Sequence, residues 1–165
     1  DNSEGQWDRD SGLIKGRAVL FREVDFGPGV HDLWSGYIDA VIPVIRRPDR
    51  TVVVTMYGGF ARMVMAGRIS TPLYQNIRTD QAIGAALDAI GFAGPRYLDV
   101  GEVMMYWWWA DEEEVLVLLR EIVNTEGPTA VLYEATDGGV VFRNRSALFT
   151  DSRSTEVQAI YGGDV

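Results

Sequence analysis

The side chains able to do chemistry in this chain form a restricted set. Four acids in succession, Asp111, Glu112, Glu113 and Glu114, offer carboxylates of the kind that oxygen-ligated metal sites and glycosidases use. Consecutive side chains in a first helical turn splay outward rather than converge, so a helix N-terminus accounts for the same run without a ligand. Immediately before it, Tyr106, Trp107, Trp108 and Trp109 supply large rigid apolar area with polar handles, suited to stacking on sugars or to a protein interface. Gly58 with Gly59 and Gly162 with Gly163 lack the further spaced glycines and the lysine of a phosphate loop, and read as turns. One histidine, His31, and no cysteine remove thiolate and multi-histidine metal centres, thiol nucleophiles and disulfides, and disfavour triad chemistry. No catalytic residue, metal ligand or cofactor is assigned, and the chain is expected not to be an enzyme.

Composition bounds the rest. A chain of 165 residues, 47% hydrophobic and 24% charged, is globular and long enough for one domain or two small ones. The net charge of −9 repels phosphate backbones and anionic membranes, which makes a nucleic-acid reader a poor fit. Arg46, Arg47 and Arg50 are interrupted by Pro48 and Asp49 without aromatic interleaving, so they read as a solvated turn. No apolar run approaches the roughly 20 residues of a membrane span. No signal peptide is visible, and the sequence begins at Asp1 rather than at a methionine.

The elements that must position these side chains follow from periodicity and punctuation. Residues 1–15 are polar and aperiodic, an expected arm. Arg17 to Val24, His31 to Ile45 and Thr51 to Tyr57 read as three strands of an antiparallel meander, with a turn at Phe26 to Gly29 and a bulge or close backbone contact at Gly36. Phe60 to Ala66 reads as a short helix stopped by Gly67, and Ile69 to Gln75, with Pro72, as an edge or loop. A helix capped by Thr79 or Asp80 runs to Ile90 and ends at Gly91. Arg96 to Val100 and Val103 to Ala110 read as extended, which sends Trp107 and Trp109 to one face and Tyr106 and Trp108 to the other, one pair being core. Asp111, with Glu114 three residues on, predicts a capping box opening a helix whose stripe is Val115, Leu116, Leu118, Leu119, Ile122 and Val123, stopped by Gly127 and Pro128. Asp137, Gly138 and Gly139 predict a tight hairpin between Thr129 to Thr136 and Val140 to Arg145. Asp151 to Ser154 is polar, and Glu156 to Tyr161 reads as a last strand.

The ordered set DNSEGQWDRDSG, GRAVLFREV, LWSGYIDAVIP, RTVVVTMYGGFARM, QAIGAALDAIG, RYLDVGE and YWWWADEEEVLVLLREIVNTEGPTAVLYEATDGGVVFRNR resembles the hub-type minor tail proteins of actinobacterial phages and prophages, which resemble the baseplate hub of contractile tails. The resemblance implies an α+β fold: an antiparallel, tail-tube-like β-barrel or sheet over residues 1–68, a smaller α+β subdomain with two helices and a hairpin over 69–148, and a return segment over 149–165. It implies a structural role at the tail tip, assembled in the host cytoplasm into the virion, as a homotrimer that joins the tail tube to the host-recognition apparatus. Distal tail or tube, tape-measure and receptor-binding or fibre proteins are the implied partners, and DNA passes without specific binding or a membrane anchor. The family's hubs carry two barrels per subunit, and this chain is too short for a second, which leaves a fragment, a partly ordered chain or a reduced relative. Tyr106, Trp107, Trp108 and Trp109, with Trp34 and Tyr37, are the candidate protein-interface residues. A carbohydrate-binding or glycan-cleaving module built on Trp107 to Trp109 and nearby carboxylates is the alternative, and a stand-alone binding module of cellular origin comes third.

Overall fold

A computed structural model describes residues 16–24, 30–45 and 50–156. They divide into two compact units, one formed by residues up to Ala66 together with Glu134–Gly139, the other by Gly67–Tyr133 and the residues from Val140 onward.

In the first unit, β1 (Ala18–Val24), β2 (Val30–Ile45) and β3 (Arg50–Tyr57) form a sheet in the order β1-β2-β3, followed by α1 (Gly59–Met65). The sheet is antiparallel and staggered: β1 pairs with residues 30–37 of β2, while β3 pairs with residues 37–45. Gly36 marks the crossing of the two halves. It is buried, and a β-carbon there would run into the Trp34 ring and the Tyr57 carbonyl, whereas the register shifts lie elsewhere, at Phe21/Arg22 and Ile38/Ala40. Of the expected barrel or sheet, the antiparallel sheet is found: among the described residues it is open, with β1 and β3 at its edges and not paired with each other. Gly67, at φ +80°, follows α1 as its spacing predicts. Within this unit Glu134 accepts from the N–H groups of Gly59 at 2.6 Å and Phe60 at 3.3 Å, which satisfies donors that a helix start leaves orphaned.

The second unit contains β4 (Arg68–Ile69), β5 (Tyr74–Arg78), α2 (Thr79–Ala89), β6 (Arg96–Leu98), β7 (Met104–Trp108), β8 (Glu113–Glu114), α3 (Val115–Glu126), β9 (Val131–Glu134), β10 (Val140–Arg143), α4 (Ala147–Thr150) and α5 (Ser152–Thr155). Helices α2 and α3 bury one stripe each, Ala82, Ile83, Ala86 and Leu87 from the first and Val115, Leu118, Leu119 and Ile122 from the second, and Val140, Val141 and Phe142 of β10 are buried as well. α2 ends as Gly91 predicts. The Phe92 N–H reaches the Leu87 carbonyl and the Gly91 N–H that of Asp88, both at 2.9 Å, with Gly91 at φ +65°. The hairpin turn after β9, whose residues 134–139 are counted with the first unit, also forms: Gly138 takes φ +81° and the Asp137 carboxylate accepts from the Gly139 N–H at 2.8 Å.

In the sheet β6-β10-β9, β10 runs parallel to β6. One feature departs from expectation: α3 begins at Val115, not after an Asp111 cap. The acids are diverted because Glu113 and Glu114 pair with Ile69 and Arg68 as a short ladder, and Glu112, at φ +51°, donates its N–H to Ser70 Oγ at 3.1 Å. Glu114 holds the cap position without a side-chain bond to the helix. The polar stretch after Thr150 forms the short helix α5. The arm at 1–15, the turn at Phe26 to Gly29, residues 46–49 of the Arg46 to Arg50 turn, most of the expected last strand and Gly162 with Gly163 lie outside the described residues. No helix among the described residues is long and apolar enough to cross a membrane.

Candidate functional site

The aromatic strand β7 is held at both ends. Ahead of it, residues 101–103 are fastened to α2 and α3: the Gly101 N–H donates to Asp80 Oδ1 at 3.0 Å, the Glu102 N–H to Glu126 Oε1 at 3.0 Å, and the Val103 N–H to Glu126 Oε2 at 3.2 Å. Glu126 is 1% exposed and also accepts from the Thr79 hydroxyl at 2.6 Å. Any residue larger than glycine at 101 would overlap that hydroxyl. Behind β7, Ala110 exchanges two bonds with Thr71, its N–H to the hydroxyl at 2.8 Å and its carbonyl from the Thr71 N–H at 2.9 Å.

Along its length β7 has one partner, β5, with Tyr74 opposite Trp108, Gln75 opposite Trp107 and Ile77 opposite Met105. The expected pairing of Tyr106 with Trp108 as core or surface does not hold. Trp108 alone is buried, at 7% exposure, against Tyr74 with ring centroids 5.7 Å apart, while Tyr106 is 76% exposed. The register explains this: Tyr106 falls across from Asn76, itself exposed and at φ +52°, so no large side chain covers it. Trp107 at 59%, Trp109 at 56% and Met104 at 54% complete an exposed apolar strand, and Asp111, Glu112, Glu113 and Glu114, all exposed, follow at once. Trp34 and Tyr37 belong to the first unit, both half-buried, Trp34 with Phe21 at 5.8 Å and Tyr37 stacked on Tyr57 at 5.9 Å.

Sequence reasoning missed the Thr79–Glu126 anchor, although one signal was present. A glutamate in the last turn of a helix opposes the helix dipole, and such a residue needs donors from elsewhere. Asp80 has its own support. Burial pushes its carboxyl up, but the Arg78 guanidinium at 2.9 Å, the Gly101 N–H and the Arg78 charge together hold it below the ordinary 3.8. Glu102 is likewise held below its ordinary 4.5, by hydrogen bonding to Ser146 and then to Arg145.

Depressed carboxyl values make their contribution to stability in full above the unfolded values, and that contribution is lost as the pH falls through the folded ones. Thermal midpoints should therefore hold down to about pH 5 and decline below it, and Asp80→Asn should flatten the acid limb. An unchanged acid limb in that variant would remove Asp80 from the account.

A cleft of about 380 Å³ in the same unit is lined by Asp99, Val100, Arg143, Asn144, Ala147, Thr150 and Asp151, with no aromatic side chain. Its polar groups are bonded internally: Arg143 to Asp99 at 3.2 Å, Asn144 to the Val100 carbonyl at 3.0 Å, and Thr150 to the Ser146 carbonyl at 3.2 Å. Among the described residues no group of three or more His, Asp or Glu is placed to hold a metal ion.

No protein-family model matches the sequence, and no curated protein matches it. Among solved structures, the chain is similar to the crystal structure of the 43 kDa tail protein of prophage MuSo2 from Shewanella oneidensis, with a TM-score of 0.55 and 20% identity over 78% of this chain and 38% of that one. At that identity the likeness is one of fold. The chain spans well under half the length of the tail protein it matches.

Proposed function

We propose that this chain is a structural component of a phage tail tip, a baseplate hub or a related tail-like particle, joining the tail tube to the host-recognition apparatus. The fold likeness to a prophage tail protein, over most of this chain, carries the reading. The exposed aromatic strand on a doubly anchored support agrees with a neighbour-contacting role, since a preorganised surface loses little freedom on binding. The edges of β1 and β3, which have no strand beside them among the described residues, agree too, because strand edges of this length invite pairing with another chain. A net charge of −9 suits a conduit that lets DNA pass without holding it.

In this reading the protein acts without catalysis or cofactor, in the virion, as a homotrimer around the DNA exit channel. Its neighbours are the distal tail or tube protein, the tape-measure protein and the receptor-binding or fibre proteins, as in the actinobacterial hubs that the sequence resembles. Native mass and negative-stain images of the purified chain test it. Rings of three copies around a pore are expected, and a monodisperse monomer at high micromolar concentration would overturn the assembly. Release of sugar from polysaccharide or peptidoglycan that is lost in Asp111→Asn or Glu112→Gln would favour the glycan-cleaving module instead.

A further inference from the structure

We propose that the free edge of β7, with Tyr106, Trp107 and Trp109 and the acidic run Asp111–Glu114, docks an extended segment of a basic partner protein, one that sets Lys or Arg between apolar side chains. The inference names the chemistry of what covers this face, and it rests on the tail reading for the claim that the face is covered.

β7 belongs to a two-stranded sheet, so one of its edges has no strand beside it among the described residues. Exposed edges are normally protected by Lys, Pro or a bulge. The sequence Met104–Trp108, MMYWW, has neither lysine nor proline, and its register with β5 is the same on either side of the Asn76 position. An extended segment can add to such an edge through main-chain hydrogen bonds, its side chains then lying alternately beside Trp107 and beside Tyr106. Charge selects the occupant. The four exposed carboxylates that follow the strand have Arg68 as their cross-strand cation, opposite Glu114. That leaves an acidic rim next to exposed indole faces, an arrangement that attracts a guanidinium or ammonium by charge and by cation–π contact. A second copy brings net charge −9 into the same field and the same acidic run, and suits this edge poorly. A glycan is less favoured, because Tyr106 and Trp107 lie on opposite faces of one strand and form no concave site, and the neighbouring cleft contains no aromatic ring.

The test titrates the full chain with an acetylated, amidated peptide of alternating Arg and Val, read by tryptophan emission and calorimetry. The matched Glu and Val peptide and a neutral chitin oligosaccharide serve as comparators. Binding of the basic peptide alone is expected, weakening with added salt, reduced roughly tenfold in Glu112→Gln/Glu113→Gln and lost in Trp107→Ala/Trp109→Ala with circular dichroism unchanged. Basic-peptide binding that survives the tryptophan replacements would be unspecific attraction to an acidic protein and would overturn the proposal. So would equal binding of the acidic peptide, or a tryptophan-dependent response to the oligosaccharide. Native mass on the same samples reads ring assembly separately: rings without peptide binding sink this inference alone, and peptide binding by a permanent monomer sinks the hub assembly instead.

Discussion

Replacing Glu126 by alanine is expected to lower the stability of the second unit by roughly 1–3 kcal/mol, the cost of orphaning one buried donor, the Thr79 hydroxyl, with two part-buried N–H groups adding to it. Three donors lose their acceptor at once: the Thr79 hydroxyl and the N–H groups of Glu102 and Val103. Water is poorly placed to replace it where the side chain is 1% exposed. Glu126→Gln keeps the shape but turns an amide NH₂ toward groups that are themselves donors, so it should recover only part of the loss. The consequence extends to the aromatic strand, because residues 101–103 lead directly into β7. Urea midpoints measure the first effect, and the Trp108 environment, through its emission, reports the second. A midpoint for Glu126→Ala within error of the wild type would mean that the anchor is not formed.

The other large effect is expected at Leu119. It is fully buried in the stripe of α3, and truncation to alanine should cost about 2–5 kcal/mol through lost transfer energy and the cavity left behind. Asp111→Ala is the informative comparison. A helix cap would cost roughly 0.5–2 kcal/mol, but Asp111 caps nothing in this fold, and an exposed residue away from such features should change stability by no more than about 0.5 kcal/mol. Denaturant midpoints on the two variants decide the matter: a loss at Asp111 comparable to that at Leu119 would restore the earlier helix start.

Local rules carried far in this chain. Spacing alone places the three strands of the first unit, the extent of α2, the stripe of α3, and the stops at Gly67 and Gly91. The Asp137–Gly139 turn is equally plain, since a positive φ at Gly138 and an aspartate beside it are properties of neighbours in sequence. The aromatic strand and the acids after it could be singled out for the same reason. What remained hidden depended on partners far away along the chain. The start of α3 shifted because a distant segment, Arg68–Ile69, claimed Glu113 and Glu114. Alternation sorts the side chains of β7 into two faces, yet Trp108 is buried and Tyr106 exposed on one face because Tyr74 covers the first and Asn76 faces the second. The parallel pairing of β6 with β10, and the open edges of the β1-β2-β3 sheet among the described residues, depend likewise on which edges meet. Glu126 is the extreme case. Its main partner Thr79 lies 47 residues away, and a carboxylate at a helix end becomes a buried anchor only when packing of α2 against α3 excludes water and brings the donors to it.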